Sequence, residues 1–190
     1  MNADSVLQLL LYANQLKRIP RTGWVMRGVA DAESVSDHSF GVAFIALLLA
    51  QMVEQSVDIA KLLTIALLHD LPEAVLSDVP ATASNRIPPQ TKREAEDGVL
   101  SDLLDELPQR EQWRVWWGEF EDGTSVEANL VRDADRLDML IQARVYEQTT
   151  GNRWLVEFWA GTTPGSFQFA AARSLFEALR ELGAVPGRSA

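Results

Sequence analysis

Apolar residues in this chain recur at the three- and four-residue spacing of α-helices, and no stretch alternates apolar and polar residues as a half-buried strand would. The longest helical pattern runs from Ser125 to Glu147 and is broken at Gly151. With 190 residues and a 47% hydrophobic composition, the chain can bury one core. We therefore predict a single all-α domain, with its core over residues 5–150 and a C-terminal helical extension over 151–183.

The same spacing places the other helices. Pro20 stops an N-terminal helical pattern over residues 6–16, and the segment from Arg21 to Trp24 is predicted to be a loop. Pro72 cannot donate a helical hydrogen bond, so we expect one helix to end or kink there and another to start. Gly183 is expected to end the last helix. These further helices are predicted over residues 34 or 36 to about 55, 58–69, 92–107 and 167–182.

Three tryptophans, Trp113, Trp116 and Trp117, lie at positions i, i+3 and i+4 and so share one face of a predicted helix. We expect that face to pack in the core or at a dimer interface. A homodimer is compatible with this stripe, although an ordinary core accounts for it equally well.

Charge and cysteine content narrow the classes of function. The net charge of −10 disfavours a nucleic acid polymer as partner, while Lys17, Arg18, Arg21 and Arg27 form a local positive segment suited to a small anion. The chain has no cysteine, so any metal must be held by nitrogen and oxygen ligands. Its start lacks a secretory pattern, and its most apolar run, residues 40–50, is too short to span a bilayer, so we expect a cytoplasmic protein that does not enter the membrane.

Only two histidines occur, and each is adjacent to an aspartate: Ser-Val-Ser-Asp-His38 and Leu-Leu-His69-Asp70. Neutral imidazoles and carboxylates together suit a catalytic divalent cation. The two histidines are too far apart for a one-helix motif, so tertiary packing must assemble any such site. The alternative is that each is a hydrogen-bonded residue of the core.

Four motifs occur in an order that resembles the HD-domain metal-dependent phosphohydrolases, and in particular their 5'-deoxynucleotidase branch. The resemblance covers residues 5–180 and implies an HD-domain helical bundle. These motifs are Leu-Lys-Arg-Ile-Pro-Arg-Thr-Gly-Trp at 16–24, Glu-Ser-Val-Ser-Asp-His at 33–38, His-Asp-Leu-Pro-Glu at 69–73 with Asp-Val-Pro at 78–80, and Asp135.

The resemblance implies a metal held by two imidazoles and two carboxylates: His38, His69, Asp70 and Asp135. Asp133 and Asp138 are rivals for the fourth ligand. Because positions i and i+2 do not share a helix face, at most one of Asp133 and Asp135 is expected to point inward. Such ligands admit one divalent ion of Co, Mn, Fe, Ni, Zn or Cu. With no third histidine, we expect a single metal ion and hydrolysis of a phosphomonoester rather than a cyclic diester.

Further roles follow from the resemblance. Glu73 is expected to accept or relay the proton of a metal-bound water, with a helix N-terminal role as the alternative. Arg21 is the first choice for binding phosphate, with Arg27 or Arg18 in reserve, because a guanidinium matches phosphate geometry.

Two residues are expected to contact the rest of the substrate. Trp24 would stack on the nucleobase or sugar, with a buried structural role as the alternative. Asp78 would accept a hydrogen bond from the sugar, in a pocket where Ser77 replaces the glycine often found in the family.

The predicted function is a metal-dependent phosphohydrolase that removes the 5'-phosphate from a nucleoside or deoxynucleoside monophosphate, its small-molecule partner. The first alternative is an HD phosphohydrolase acting on another nucleotide derivative or phosphomonoester. The second is a non-catalytic HD module that senses a metal or ligand. The presence of Glu73 and the arginine segment favours an enzyme over such a module.

Overall fold

The computed structural model describes residues 2–182, which form helices joined by short connections; the one β-type contact within this range is an isolated bridge between Pro20 and Ser34. The α-helices are α1 Ala3–Gln15, α2 Thr22–Val25, α3 Val35–Ala50, α4 Ile59–Leu68, α5 Glu73–Leu76, α6 Ala81–Ser84, α7 Pro89–Leu104, α8 Arg110–Asp122, α9 Val126–Thr150, α10 Glu157–Ala160 and α11 Ala170–Leu182. Short 3-10 turns lie at Leu16–Arg18, Arg153–Val156 and Pro164–Ser166.

The long helix α9 lies at the centre and packs against α3, α4, α8 and α11. Its buried face, which includes Leu130, Leu137 and Leu140, forms one apolar cluster with Leu49 of α3 and with residues of α4 and α11. Burying a leucine side chain in this way contributes about 2 kcal/mol. The packing of α3 against α9 matters for function because both helices carry residues of the site described below.

Side-chain caps fix where the helices around the site begin. Ser34 and Asp37 form a capping box at the start of α3, in which each side chain accepts the backbone N–H of the other residue. The Asp58 carboxylate accepts the N–H of Lys61 at the start of α4, and the Ser125 hydroxyl does the same for Ala128 in α9. These caps therefore fix the first residues of α3, α4 and α9.

The all-α prediction is confirmed, and the boundary predictions at Asp58, Ser125 and Gly151 agree with the structure. The prediction of a loop from Arg21 to Trp24 is wrong in part, because Thr22–Val25 forms the short helix α2. The helix from Ser34 ends at Ala50, five residues before the predicted end. The predicted end of the last helix at Gly183 lies outside the described residues.

The last helix begins at Ala170 rather than near Phe167. The reason is a contact the sequence pattern does not reveal: the buried Asp133 carboxylate accepts the backbone N–H groups of Gln168 and Phe169 at 3.0 and 2.9 Å. That contact holds both residues in the segment that precedes α11.

The tryptophan stripe of α8 packs inward, as its spacing predicted. Trp117 is buried beside Leu100 and Leu104, Trp113 packs at the edge of the same cluster, and Trp116 packs against the central one. Within residues 2–182, no helix combines the length and apolar character that crossing a bilayer requires.

Candidate metal centre

His38 lies just after the first turn of α3, where the capping box holds the helix start, and its side chain is 1% exposed. Its Nδ1 is 2.7 Å from Oδ2 of Asp138 on α9. A carboxylate oxygen accepts, so Nδ1 carries the proton and donates. In the neutral form of this ring the lone pair is then on Nε2, which faces the centre of the site.

His69 follows the last residue of α4 and is also buried. Its Nδ1 lies 2.8 Å from the carbonyl oxygen of Ala66, which can only accept, so this ring takes the same tautomer as His38. The indole N–H of Trp117 donates to the His69 carbonyl at 3.3 Å, and the Phe120 ring packs edge-on at 5.5 Å. Helix α8 thus holds the end of α4 in place.

The two Nε2 atoms and two carboxylate oxygens converge. The His38 and His69 Nε2 atoms are 3.4 Å apart, and His38 Nε2 lies 3.2 Å from Oδ1 of Asp135. Oδ2 of Asp70 lies 3.6 Å from His38 Nε2 and 3.3 Å from His69 Nε2. Donor atoms that share one ion with bonds of about 2.1 Å lie roughly 3.0–3.4 Å from their neighbours. The donor set therefore fits a divalent ion in composition and in spacing.

Charge within the site is concentrated on these four side chains. Burial and Arg21 lower the pKa of His38, but hydrogen bonds to Asp135 and Asp138 outweigh both and raise it to about 10. Burial raises the pKa of Asp70, yet His69 and Arg21 hold it well below its ordinary value. Burial likewise opposes ionisation of Asp135, and the His38 hydrogen bond lowers its pKa overall. Negative charge thus predominates beside the two imidazoles, as a cation site requires.

The two rivals for the fourth ligand have other partners. Asp133 points away from the histidines and binds the backbone ahead of α11, as its two-residue offset from Asp135 predicted. Asp138 contacts Nδ1 of His38, on the edge of the ring opposite Nε2. Of the three aspartates on α9, Asp135 is the one whose carboxylate lies beside an Nε2 atom.

Arg21 is the arginine that the fold brings to this cluster. Its Nη1 donates to Asp70 at 3.1 Å and to Asp78 at 3.4 Å. The second Asp78 oxygen accepts the backbone N–H of Thr22 at 2.6 Å, which ties the start of α2 to the loop after α5. Arg21 and Asp78 therefore lie together at the edge of the metal cluster.

The structure places the two reserve arginines differently from Arg21. Arg18 and Lys17 are exposed, as expected for part of a charged segment. Arg27 follows α2, and its guanidinium pairs with Glu157. A cleft of about 170 Å³ is lined by Gly23, Arg27, Pro80, Ala81, Thr82, Glu157 and Phe158. Two of these residues, Gly23 and Pro80, are each two positions along the chain from Arg21 and Asp78, respectively.

Glu73 begins α5, one turn after His69. Pro72 was expected in the first turn of this helix and is found at its N-cap position, one residue before the helix begins. One of its carboxylate oxygens is buried and has no hydrogen-bond partner among residues 2–182. Burial, with Asp70 and Asp78 adding to it, raises the pKa of Glu73 to about 9 against the opposing effect of Arg21. A buried carboxyl oxygen without a partner destabilises the fold, so its presence calls for an explanation such as a functional role.

The stacking role predicted for Trp24 is wrong in this structure. The ring is 2% exposed and packs against Tyr146 and Phe158, with centroids 5.5 and 4.2 Å away. Its indole N–H donates to Glu33 at 2.8 Å. Trp24 therefore takes the alternative, structural role, because both its face and its N–H are occupied by protein.

Two features near the site carry backbone constraints. Ser77, at the end of α5, has φ +66° and ψ 165°, a conformation that favours glycine. This conformation gives a physical reason for the glycine that the resemblance led us to expect at this position. Gly41 lies three residues after His38, and a Cβ there would be 2.0 Å from Oδ1 of Asp138. Sequence reasoning missed Gly41; its position one turn after His38 was the available signal.

The chain is similar to known proteins along most of its length. A family model described as HD domain matches residues 13–163. The Danio rerio protein named 5'-deoxynucleotidase HDDC2 is 35% identical over 180 residues, covering 94% of this chain and 88% of its own. The Homo sapiens protein of that name is 34% identical over 167 residues, covering 87% and 79%. A solved structure, a conserved hypothetical protein from Pyrococcus furiosus, matches with a TM-score of 0.78 and 39% identity over 94% of this chain and 99% of that one.

The fold and the His/Asp cluster are those of an HD-domain protein, and the chain belongs to the HD-domain family. The predicted HD-domain helical bundle is confirmed by the family match and by the structural similarity.

Proposed function

We propose that this protein is a metal-dependent phosphohydrolase that removes the 5'-phosphate from nucleoside monophosphates, deoxynucleoside monophosphates included. The observation that carries the proposal is the convergence of two histidine Nε2 atoms and two aspartate oxygens beside an arginine and an unsatisfied glutamate. Relatives named 5'-deoxynucleotidase match most of the chain and support the choice of substrate.

His38, His69, Asp70 and Asp135 would hold one divalent ion. Their nitrogen and oxygen donors are compatible with Co, Mn, Fe, Ni, Zn or Cu. When bound, such an ion supplies Lewis acidity to a phosphoryl oxygen and makes water a better nucleophile at neutral pH.

Arg21 would bind the phosphate. Both of its bonds to Asp70 and Asp78 use Nη1, and a guanidinium carries further N–H donors on its other nitrogens. Asp70 and Asp78 hold the Arg21 guanidinium in one orientation. Its remaining N–H donors can therefore bind phosphate oxygens without a further loss of side-chain entropy when the substrate binds. Arg21 would thereby stabilise the charge that remains on the phosphoryl oxygens as the P–O bond breaks.

Glu73 would hold or transfer the proton of the attacking water. Its buried oxygen has no protein partner within the described range, so it is free to accept a hydrogen bond from a small molecule in the site. A carboxyl group with a raised pKa is a better proton acceptor once ionised than an exposed glutamate is.

The nucleoside would extend into the cleft beside Arg21 and Asp78. Two residues that line this cleft are close to that pair in sequence: Gly23 is two positions after Arg21, and Pro80 is two positions after Asp78. The Phe158 ring gives the cleft an apolar wall. Asp78 would accept a hydrogen bond from the sugar with the lone pairs that Arg21 and Thr22 leave. Arg27 would contribute to the cleft wall rather than to phosphate binding.

Phosphate release tests the proposal directly. Chelator-treated protein is supplied with Co²⁺, Mn²⁺, Zn²⁺ or no ion and assayed against 5'-ribo- and 5'-deoxyribonucleoside monophosphates. We expect release that depends on the ion and is lost in Asp70→Ala. Absence of release with every ion, or equal activity of Asp70→Ala, would overturn the proposal. Faster release from another phosphomonoester would favour the first alternative, an HD phosphohydrolase of different specificity.

A matched pair of arginine variants tests the phosphate site. Arg21→Ala should lower kcat/KM by about 100-fold or more, since it removes charged donors to the transition state. Arg27→Ala removes the same side chain from a partly exposed pair with Glu157, and we expect less than about a fivefold effect. Equal losses in the two variants would contradict the assignment of phosphate binding to Arg21.

Two further expectations belong to this proposal. We propose a homodimer, because exposed Phe40, Phe44 and Leu48 recur every four residues along α3, and the first two rings stack with centroids 6.3 Å apart. Light scattering after size exclusion would test it, with Phe44→Glu expected to give a monomer.

We also propose that the protein acts in the cytoplasm on free nucleotides rather than on nucleic acid or at a membrane, in keeping with its acidity and lack of cysteine.

A further inference from the structure

We infer that Asp138 and Gly41 form a positioning pair for His38, in which the Asp138 carboxylate keeps Nε2 of His38 available to a metal and Gly41 leaves room for that carboxylate. The inference rests on the proposed metal centre but concerns two residues with no role in it so far. Neither residue would touch the ion or the substrate.

The bond between His38 and Asp138 determines the tautomer. A neutral imidazole carries one proton, and only the unprotonated nitrogen can bind a metal. Oδ2 of Asp138 lies 2.7 Å from Nδ1 and can only accept, so it requires the proton on Nδ1. The lone pair is then on Nε2, which faces His69, Asp70 and Asp135. A carboxylate behind a metal-binding histidine also raises the basicity of the ring.

Gly41 is what permits this contact. A Cβ at position 41 would lie 2.0 Å from Oδ1 and 2.7 Å from Cγ of Asp138, closer than any non-bonded contact allows. The carboxylate is partly buried between α3 and α9, with 13% of its side chain exposed, so it has little room to retreat. Any side chain at position 41 would therefore push Asp138 away from the ring.

A second carboxylate, that of Glu33, lies near the same ring. One oxygen each of Glu33 and Asp138 and a nitrogen of His38 lie within 4.8 Å of one another. The indole N–H of Trp24 donates to Glu33 at 2.8 Å, which gives that carboxylate a partner other than the ring. Of the two carboxylates, Asp138 is therefore the one that accepts from Nδ1.

Zn²⁺ affinity, measured by competition with a chromophoric chelator, tests the pair without reference to phosphatase activity. Asp138→Asn keeps the shape of the side chain but can present its NH₂ to Nδ1 and so favour the wrong tautomer. We expect it to weaken Zn²⁺ binding by about 10- to 100-fold. Asp97→Asn, which changes a carboxylate paired with Arg114 at the surface, is the matched control and should bind as the wild type does.

Gly41→Ala should weaken Zn²⁺ binding to a similar degree although every proposed ligand and Asp138 itself remain. Gly98→Ala on α7 is the control, because a Cβ there meets nothing within 4 Å. The decisive comparison is Gly41→Ala in an Asp138→Ala background. With no carboxylate to displace, the same substitution should cost less than about threefold, because effects of contacting residues are not additive. An equal cost in both backgrounds would overturn the role of Gly41.

Nitrogen NMR separates positioning from general destabilisation. The chain has only two histidines, so ¹⁵N-histidine labelling gives four ring nitrogens to assign. In the Zn²⁺-loaded wild type we expect both rings to carry the proton on Nδ1; in Asp138→Asn, His38 alone should lose that signature while His69 keeps it.

Two results would count against the inference in different ways. Wild-type Zn²⁺ affinity with an unchanged His38 tautomer in Asp138→Asn would overturn it and leave the metal centre intact. Failure of the wild type to bind Zn²⁺ would overturn the metal centre, and this inference with it.

Discussion

The two histidines reach the same centre in the same tautomer, but different parts of the molecule hold them. The Nδ1–H of His69 donates a hydrogen bond to the carbonyl oxygen of Ala66, three residues earlier in α4, and its neighbours Asp70 and Glu73 follow within one turn. The Nδ1–H of His38 donates to the carboxylate of Asp138, which is 100 residues away on α9. We call these the local arm, residues 66–78, and the long-range arm, formed by His38, Asp135 and Asp138.

The difference shows what each arm requires of the fold. The local arm needs only that α4 end at Leu68 and that Pro72 start a new turn, both of which are local properties. The long-range arm exists only if α3 and α9 pack in one register, with Gly41 against Asp138. A register shift of one residue between α3 and α9 would remove the partners of His38, whereas His69 would keep its hydrogen bond to the carbonyl of Ala66.

The largest predicted effect is loss of a ligand from either arm. His38→Gln and His69→Gln should each lower 5'-phosphate release by about 1,000-fold, the rate equivalent of several kcal/mol of metal-based stabilisation. Stopped assays of phosphate release on the chelator-treated, metal-reloaded variants would measure this. Activity retained in one variant alone would show that the two arms do not serve a single ion.

A second prediction concerns pH and the metal-free protein. The pKa of His38 is raised to about 10 in the folded chain, and that of Glu73 to about 9. Each group therefore binds its proton more tightly when folded, so stability is highest below the unfolded-state pKa and falls as pH rises through the folded value. For His38 the window is from about pH 6.5 to 10.

Urea unfolding of chelator-treated protein across that window should show a steady decline in the free energy of unfolding. Asp138→Asn should flatten the decline, because it removes one of the bonds that raise the pKa of His38. Saturating Zn²⁺ should cancel it, since metal affinity increases as the imidazoles lose their protons. Stability that is constant from pH 6.5 to 10 in the metal-free wild type would contradict the raised pKa of His38.

A third prediction compares the indole N–H groups that support the two arms. Trp24 donates to the Glu33 carboxylate behind the long-range arm, and Trp117 donates to the His69 carbonyl in the local arm. Trp24→Phe should cost about 1–3 kcal/mol of stability because the lost bond has a charged acceptor, and Trp117→Phe about 1 kcal/mol less. Thermal and urea unfolding would measure both; the loss of ring volume is common to the pair, so the difference isolates the bonds.

The smallest effect is expected at Ser77, in the local arm. Ser77→Gly should relieve a positive φ and stabilise the chain by about 1 kcal/mol, which corresponds to a rise in Tm of roughly 2–4 °C for a chain of this size. Ser77→Ala keeps the Cβ and should give no such rise. Calorimetry on the two variants would check this, and equal Tm values would show that the turn carries no strain.

How far the site could be predicted differs between the arms. The sequence motif His69-Asp70-Leu-Pro-Glu73 was enough to predict the local arm, because the end of a helix and the effect of a proline are determined by residues close in sequence. On α9 the offset between Asp133 and Asp135 correctly indicated that they face different sides. It did not reveal that Asp133 binds the backbone before α11, since that contact joins two elements that the sequence pattern treats separately.

The remaining errors have the same origin. The sequence made Trp24 a candidate for stacking on a ligand, but in the fold its ring packs against Tyr146 and Phe158 and is buried. The sequence ranked Arg21 ahead of Arg27 but did not show their contacts, and only the position of α2 directs one to Asp70 and the other to Glu157.

The sequence by itself determined that the chain is helical, where the helices around the site begin, and which residue types would bind a metal. Periodicity, caps and proline act over a few residues, so they can be recognised without a fold. Only the tertiary structure decided which aspartate faces Nε2, which holds Nδ1, and which arginine lies beside them. Those choices depend on the register of α3 against α9 and on the absence of a Cβ at Gly41, where one would lie 2.0 Å from Oδ1 of Asp138. Such distances are set by packing between distant segments.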